Sequence, residues 1–511
     1  MISRGGFLVV AALLAAAAWP ASRTRVVTYD EASHAHMAWL LDRGQVPYRD
    51  FAANHLPFFW MLVRPLASRL ADPLRTMNLA RGLALAGHLA FLLLLAAHAA
   101  RGRDSGARAC ALGALAFMAL LPPVLPFLVE FRPDSLSNPL LAGGLWLLRG
   151  RPSRRRAAAG GFLVVAAMLI NTKLLLLPVV LAAAALWRAD DRRAAWARAG
   201  WAAGGAGLAL LLAAGVLKGY GIDPRAAWQS AVAYNAALER MHTFGAGLWR
   251  ALRDQPLPLA CAAAGAAGWG WRVARRRERA GAFETGVVLF LLLQAVLATK
   301  PWLQYTASWF LLAAVLPAAL AARAAEEWPR WWLGPAALVL VLLALRALTA
   351  PAAEQGPVIR FADGSRFSPT RTVQARALRY LLDRAAPHDR VVAAFPWHPL
   401  CRSNTFYKII SDFDGRGHDG LEWAARNLPG FPRADRLTPE GYRSELEERP
   451  PAVVFLGILS EGGPAWSPYS EAQTRALEAF FDAHGAEYGM AEIPGTPFTV
   501  MQRVDNTRPA P

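Results

Sequence analysis

Acidic side chains suited to proton transfer stand in two short segments of this chain. In the first, 28-TYDEASHAHM-37, Asp30 and Glu31 are adjacent. In the second, 130-EFRPDSLSNP-139, Glu130, Arg132 and Asp134 lie within one short gap between apolar stretches. Carboxylates accept protons in general acid–base catalysis, and ionisable groups close to a membrane are costly unless they are paired or used. These five residues are therefore the candidates for chemistry.

Each segment also has a purely structural interpretation. Asp30 would cap the N-terminus of the helix that follows it. In the second segment Pro133 would begin the next helix, and Asp134 would be favoured near that helix's positive end. Choosing between the interpretations requires the elements that position these residues.

Long apolar runs separate the candidate segments. The chain has 511 residues, of which 55 % are hydrophobic, and runs such as 204-GGAGLALLLAAGVL-217 match the thickness of a bilayer. Backbone groups in lipid must bond internally, so the runs are predicted to be helices. We predict a polytopic α-helical membrane protein with about eleven transmembrane helices. The predicted spans are 5–21, 79–100, 109–129, 135–148, 157–171, 174–187, 200–218, 255–271, 284–299, 303–322 and 333–349.

Arginines fill every second gap between these spans and account for the net charge of +18. The basic gaps include 101-RGRDSGAR-108, 149-RGRPSRRR-156 and 272-RVARRRER-279. The positive-inside rule places them, and the N-terminus, in the cytoplasm. The C-terminal region then lies outside. The first apolar stretch also resembles a signal peptide, with 17-AAWPAS-22 as the cleavage region; an uncleaved first helix is favoured.

Two external loops are predicted within residues 1–350, at 22–78 and 219–254. In the first loop, residues 31–41 fit an amphipathic helix that turns Ala35, Trp39 and Leu41 toward lipid. The second loop contains a helical pattern over 223–244. Its polar residues would either line a path for an acceptor or belong to a helix that packs over the first loop; they are Tyr234, Asn235, Glu239, Arg240 and His242.

Residues 351–511 are predicted to form an extracytoplasmic α/β domain. Its predicted elements are helix 370–385, strands 390–395 and 452–458, helix 470–484 and strand 496–503. The loop between the first two strands carries side chains that could contact sugar, namely Trp397, His398, Arg402, Asn404 and Tyr407. Acceptor binding or scaffolding is the predicted role of the domain.

The first external loop resembles that of the GT-C-fold membrane glycosyltransferases, which use polyprenyl-phosphate sugars. Relatives of protein mannosyltransferase and of the aminoarabinose lipid A transferase belong to this group. The resemblance rests on Tyr29-Asp30-Glu31 followed by Gly44, Pro47-Tyr48, Asp50 and His55-x-Pro57, then on Arg132-Pro133-Asp134, Thr172-Lys173 and 300-KPWLQYTASW-309. In order, these motifs span nearly the whole membrane part.

The resemblance implies a hexosyl- or pentosyltransferase of the inner membrane. It would move a sugar from a polyprenyl-phosphate carrier to a lipid, glycan or protein acceptor on the outer face, without nucleic acid. Asp30 would be the catalytic base, Glu31 would orient it, and Asp134 would be a second acidic group. The donor phosphate would be bound by Arg132, Lys173 and Lys300. Further substrate contacts would come from Tyr48, His55, Glu130, Gln304 and Tyr305.

Two questions stay open at the level of sequence. No cofactor is certain, and a divalent metal is possible because three carboxylates without fixed ligand geometry do not decide the matter. A lipid-linked saccharide transporter or flippase, or a non-catalytic assembly subunit, is the alternative function. A transporter is expected to carry polar residues deep within its helices and internally repeated halves. The acidic groups here cluster at one face, which favours an enzyme.

Overall fold

The computed structural model describes residues 4–67, 72–101, 103–121, 124–149, 153–187, 192–240, 249, 252–276, 282–297, 311–327, 359–360, 366–404, 420–460 and 463–504. The chain forms two compact units, each built from three segments. The first unit comprises Met1–Arg23, Arg81–Val216 and Ala236–Ala352. The second comprises Thr24–Ala80, Leu217–Asn235 and Ala353–Pro511. The two predicted domains, 1–350 and 351–511, are each continuous in sequence. Each observed unit instead combines three segments that are distant in sequence.

The described helices are mostly those predicted from the apolar runs. In chain order they are α1 (Arg4–Thr24), α2 (Tyr29–Asp42), α3 (Phe58–Ala67), α4 (Pro73–Ala99), α5 (Ser105–Leu120), α6 (Asp134–Arg149), α7 (Arg154–Ile170), α8 (Leu177–Trp187), α9 (Arg192–Gly219), α10 (Pro224–Trp228), α11 (Tyr234–Arg240), α12 (Pro256–Arg276), α13 (Ala282–Leu297), α14 (Val315–Glu327), α15 (Arg371–Asp383), α16 (Gly420–Asn427), α17 (Pro439–Glu448) and α18 (Glu471–His484). Short 3₁₀ helices cover Leu125–Leu128 and Thr172–Leu174, and a π-helical turn covers Gln229–Ala233.

The core of the first unit is apolar and closely packed. A Cβ atom on Gly161 would lie 2.0 Å from the carbonyl oxygen of Ala202, and one on Gly205 would lie 1.8 Å from that of Ala158. Glycines at these positions let the backbones of α7 and α9 touch, which is how helices pack in lipid. Leu208 and Leu211 on α9 are exposed, as expected for a helix with a lipid-facing side.

Two of the described helices are long and apolar enough to cross a membrane, Pro73–Ala99 and Arg193–Gly219. The predicted total of about eleven spans is therefore not confirmed. Several other predicted spans are observed as helices of fewer than 18 residues; α6, for example, has 16 residues. The predicted span 333–349 lies outside the described residues.

The second unit contains the α/β structure predicted for the C-terminal region. Its strands are β1 (Ile359–Arg360), β2 (Arg366–Phe367), β3 (Val391–Val392), β4 (Val453–Ser460), β5 (Gly463–Trp466), β6 (Tyr488–Glu492) and β7 (Thr499–Arg503). Among the described residues the main sheet has the order β3-β4-β7-β6, with β5 paired to β4. The β3–β4 pair is parallel and the others are antiparallel.

Aromatic rings fill the core behind this sheet. Trp397 stacks on Phe455 with ring centroids 5.7 Å apart and contacts Phe498 at 4.5 Å. All three side chains are at least 99 % buried. The predicted helices 370–385 and 470–484 are observed as α15 and α18. The sequence prediction missed β6 and the helices α16 and α17.

Candidate functional site

The second acidic segment forms a buried group of charges in the first unit. Glu130, Arg132 and Asp134 are 4, 7 and 8 % exposed. The helix α6 begins at Asp134, one residue after the predicted start at Pro133, and Asp134 lies in its first turn as predicted. Its carboxylate Oδ2 lies 3.5 Å from Arg132 Nε and 3.9 Å from Lys173 Nζ, and Glu130 Oε2 lies 4.0 Å from Arg132 Nη1. The structure therefore brings four of the predicted site residues together.

This group is balanced in formal charge, with two carboxylates and two cations. Buried ions are tolerated only when they are paired and hydrogen-bonded. The distances of 3.5 and 3.9 Å to Asp134 are longer than a close ion pair, and the Lys173 side chain is 25 % exposed. The two cations thus share one carboxylate, and the Lys173 side chain is the more exposed of the two.

Asn171 belongs to this group but was missed by the sequence reasoning. Its Nδ2 donates to Asp134 Oδ1 at 3.0 Å and lies 3.5 Å from Ser137 Oγ. Its Oδ1 accepts from the backbone N–H of Lys173 at 3.3 Å, which caps the 3₁₀ turn Thr172–Leu174. The helix break at Thr172-Lys173 was recognised, and an asparagine at the end of an apolar helix immediately before it was the available signal.

Three contacts hold the backbone on either side of Asp134. Gly87 of α4 approaches so closely that a Cβ atom there would lie 2.0 Å from the carbonyl oxygen of Ser135. The hydroxyl of Ser135 donates to the carbonyl of Arg132 at 2.7 Å. On the other side, His88 Nδ1 pairs with the carbonyl of Leu128 at 3.0 Å. The backbone around Asp134 is therefore held from both ends.

The first acidic segment lies in the second unit, and Asp30 does not cap its helix. The N-cap of α2 is Thr28, whose hydroxyl accepts from the N–H of Glu31 at 3.4 Å. Glu31 completes a capping box by accepting from the N–H of Thr28 at 2.9 Å, and its side chain is fully buried. Asp30 is half-buried in the first turn. The capping interpretation of Asp30 is thus wrong, while Glu31 has a structural task.

Tyr48 and His55 meet in the same loop. Tyr48 has a left-handed backbone (φ 69°), is 3 % exposed, and donates its hydroxyl to the carbonyl of His55 at 2.6 Å. Burial raises the pKa of Tyr48 far above its ordinary value, so this hydroxyl stays protonated and donates. The rings of His55 and His34 lie 5.1 Å apart, and Trp60 Nε1 donates to His34 Nδ1 at 3.0 Å. That bond leaves the proton of neutral His34 on Nε2.

Two predictions about exposed faces are wrong. Ala35, Trp39 and Leu41 do not face lipid, since they are 5, 7 and 2 % exposed within the protein. In the described part of the loop after β3, three of the side chains predicted to contact sugar are buried within the protein. Trp397 and His398 are buried, and Asn404 donates to the carbonyl of Ala393 at 2.9 Å.

Two other residues that were predicted to contact sugar or line an acceptor path, Arg402 and Asn235, bind backbone carbonyls. Arg402 donates to the carbonyls of Ala385 and Cys401 at 2.9 and 3.0 Å. In the second external loop, Asn235 donates to the carbonyl of Asn54 at 3.0 Å, as expected of a helix packed over the first loop. Both side chains thus bind backbone carbonyls within the second unit.

Part of the predicted site is not described. Lys300, Gln304, Tyr305 and Tyr407 lie outside the described residues. Within the described ranges no group of three or more His, Cys, Asp or Glu side chains has the arrangement of a metal site. The roles of Asp30, Arg132, Asp134 and Lys173 in chemistry stay predictions.

The fold is that of the GT-C membrane glycosyltransferases, so the predicted resemblance is confirmed. Two structures of ArnT from Cupriavidus metallidurans match, one bound to undecaprenyl phosphate (TM-score 0.53) and one in the apo state (0.55). Both are 14 % identical, and the matches cover 99 % of this chain and 100 % of theirs. An apo oligosaccharyltransferase from Archaeoglobus fulgidus matches with TM-score 0.51 and 11 % identity, over 95 % of this chain and 79 % of that one. No family model and no curated protein sequence matches the chain.

Proposed function

We propose that this protein is an integral membrane glycosyltransferase that moves a sugar from a polyprenyl-phosphate carrier to an acceptor hydroxyl or amine. The observation that carries the proposal is the likeness in fold to ArnT bound to undecaprenyl phosphate, over 99 % of this chain. The likeness includes the C-terminal α/β region as well as the helices. The acceptor is a lipid, a glycan or a protein, and the reaction takes place at the outer face of the inner membrane.

In the proposed reaction Asp30 is the base. Its carboxylate takes the proton of the acceptor as the acceptor's oxygen or nitrogen attacks the anomeric carbon of the sugar. The bond from that carbon to the phosphate oxygen breaks, and the carrier phosphate leaves with the electron pair. The place of Asp30 in the first turn of α2, half-buried and next to a carboxylate already engaged in a capping box, supports this division of roles.

Arg132 and Lys173 are proposed to bind the phosphate of the carrier. A departing phosphate gains negative charge, and preorganised cations lower the barrier to its departure. Their shared contact with Asp134 supports the proposal, because it holds two cations within 4 Å of one carboxylate. In this proposal Asp134 positions the two cations through Oδ2, and Asn171 holds its Oδ1.

The experiment is sugar transfer in proteoliposomes from a panel of radiolabelled polyprenyl-phosphate sugars, comparing the unsubstituted protein with Asp30→Asn. Loss of a general base of this kind is expected to lower transfer by about a hundredfold to ten thousandfold. The matched control is Asp42→Asn at the other end of α2, where the carboxylate pairs with Arg64 at 3.1 Å.

Transfer that is equally fast in Asp30→Asn and in the unsubstituted protein would exclude Asp30 as the base. Absence of transfer from every donor in the panel by the unsubstituted protein would contradict the proposed enzyme. In that case transport of the same labelled lipids across the proteoliposome membrane would be the next measurement.

A further inference from the structure

Gln374 of α15 binds the backbone of the chain just before α2. Its Oε1 accepts from the N–H of Val27 at 2.8 Å, and its Nε2 donates to the carbonyl of Val27 at 3.1 Å. The amide also donates to the carbonyl of Pro396 at 3.2 Å and accepts from Arg371 at 3.3 Å. Every hydrogen-bonding position of the amide is therefore used.

This arrangement is buried and specific. Gln374 is fully buried, and Val27 is 3 % exposed. A side-chain amide that pairs with both the N–H and the carbonyl of one residue imitates the pairing of two strands, and it fixes that residue in position and in rotation. Backbone groups that are buried without a hydrogen-bond partner destabilise the folded state, so these contacts matter. Residues 371–396 thus fix the chain one residue before the N-cap, Thr28.

A second contact holds α2 further along. His36 Nδ1–H donates to the carbonyl of Leu400 at 2.7 Å, and both side chains are buried. Leu400 has a left-handed backbone (φ 58°), a strained conformation for leucine that presents this carbonyl. The ring of Tyr29, next to Asp30, meets Phe395 edge-on at 5.8 Å. The loop after β3 therefore contacts both the first and the second turn of α2.

From these contacts we infer that Gln374 is a positioning residue for Asp30, and that the C-terminal α/β region sets the orientation of the helix that carries the base. The inference rests on the proposed function for the role of Asp30. The role that it assigns to the α/β region is to hold α2, and not to bind the acceptor. The loop that the sequence suggested for sugar contacts is used for this task.

The test compares the full chain in detergent and in proteoliposomes with Gln374→Met, which keeps length and helix propensity but removes all four hydrogen bonds. The control is Gln473→Met in α18. Gln473 is equally buried, and its Oε1 accepts from the N–H of its own N-cap, Ser470, at 3.2 Å. Hydrogen exchange of the peptide covering residues 24–31 is measured together with kcat and KM for a radiolabelled polyprenyl-phosphate sugar.

In Gln374→Met, exchange over 24–31 is expected to accelerate by about tenfold or more, while exchange over β4 stays unchanged. The kcat is expected to fall about tenfold to a hundredfold with an unchanged KM for the donor, because the base is displaced while the phosphate contacts remain. Gln473→Met is expected to leave exchange over 24–31 and kcat unchanged.

The inference would be overturned if hydrogen exchange over residues 24–31 were equally fast in Gln374→Met and Gln473→Met. An equal fall of kcat in these two variants would overturn it as well. If the unsubstituted protein transfers no sugar, the proposed function fails, and exchange alone decides whether Gln374 orders this segment.

Discussion

The side-chain amide of Asn171 donates to Asp134 Oδ1 at 3.0 Å, while its oxygen caps the turn that carries Lys173. One residue thereby fixes both the carboxylate and the backbone of a cation that lies 3.9 Å from it. Asn171 therefore helps to set the separation between these two charges.

Replacing Asn171 with leucine is therefore expected to impair sugar transfer although the reacting groups remain. Leucine has a similar shape but no polar atoms, so Asp134 loses a donor and the turn loses its cap. We expect about a tenfold fall in kcat/KM for the donor, corresponding to about 1.4 kcal/mol. Steady-state transfer from a labelled carrier lipid measures this.

Asn427→Leu is the control for that change. Asn427 is exposed on α16 and donates to the carbonyl of Trp423 in its own helix at 2.8 Å. An equal fall in kcat/KM in both variants would contradict a specific role for Asn171.

Arg132 and Lys173 are expected to differ when each is replaced by glutamine. Arg132 is buried against Glu130 and Asp134, so Arg132→Gln is expected to lower the free energy of unfolding by about 3–5 kcal/mol and to abolish transfer. The Lys173 side chain is 25 % exposed, so Lys173→Gln should cost about 1 kcal/mol or less while raising the donor KM. Thermal unfolding in detergent and steady-state transfer separate the two effects. Equal losses of stability would refute the distinction.

Gly87 is expected to reject even one methyl group. In Gly87→Ala the added carbon would lie 2.0 Å from the Ser135 carbonyl oxygen, which is backbone and cannot move alone. We expect a loss of about 1–3 kcal/mol in the free energy of unfolding. Gly207→Ala on α9 is the matched control, since a methyl group there has no neighbour within 4 Å. That change should be neutral or stabilising by up to about 1 kcal/mol. Thermal unfolding of both variants in the same detergent decides; a stable Gly87→Ala would show that α4 and α6 can separate.

Acid is expected to destabilise the second unit through His36 and His398. Their rings lie 4.6 Å apart, and burial lowers the pKa of His36 to about 4 and that of His398 well below its ordinary value. Arg402 also lowers the pKa of His398, whereas the Leu400 carbonyl raises that of His36. Because the folded state binds these protons more weakly than the unfolded state, stability is unaffected above the ordinary pKa of 6.5. It falls as the pH drops from there toward 4.

For His36 alone the total loss is on the order of 3 kcal/mol at the acid end of this window. Thermal unfolding measured from pH 7.5 to 4.5 should show the decline. His36→Gln keeps an N–H donor for Leu400 and removes the titration, so its decline should be shallower. His388→Gln serves as the control, because the His388 side chain is 85 % exposed. A profile for His36→Gln as steep as that of the unsubstituted protein would contradict the assignment.

The sequence predicted local structure well and burial poorly. Apolar runs located α4, α7 and α9, because a helix in lipid must be apolar along its whole length. The end of α2 was recognised at Gly44, whose φ of 77° suits glycine. The outward orientation of Trp39 was wrong, because an apolar stripe packs equally well against lipid or against protein.

Within the candidate site, the sequence supplied the charged residues but not their connections. Glu130, Arg132 and Asp134 are close in sequence, so their proximity followed from spacing. The contacts of Asn171 with Asp134 and of Gln374 with Val27 join residues 37 and 347 positions apart. No local pattern encodes such contacts, and only the folded chain reveals them.

The 347 residues between Val27 and Gln374 also separate the two in time during synthesis. At a translation rate of about 5–20 residues per second, Gln374 emerges from the ribosome roughly 20–70 s after Val27. During that interval the segment before α2 has no access to its partner while the intervening helices are being inserted. The contacts that fix the backbone just before α2 can therefore form only after residue 374 has been made.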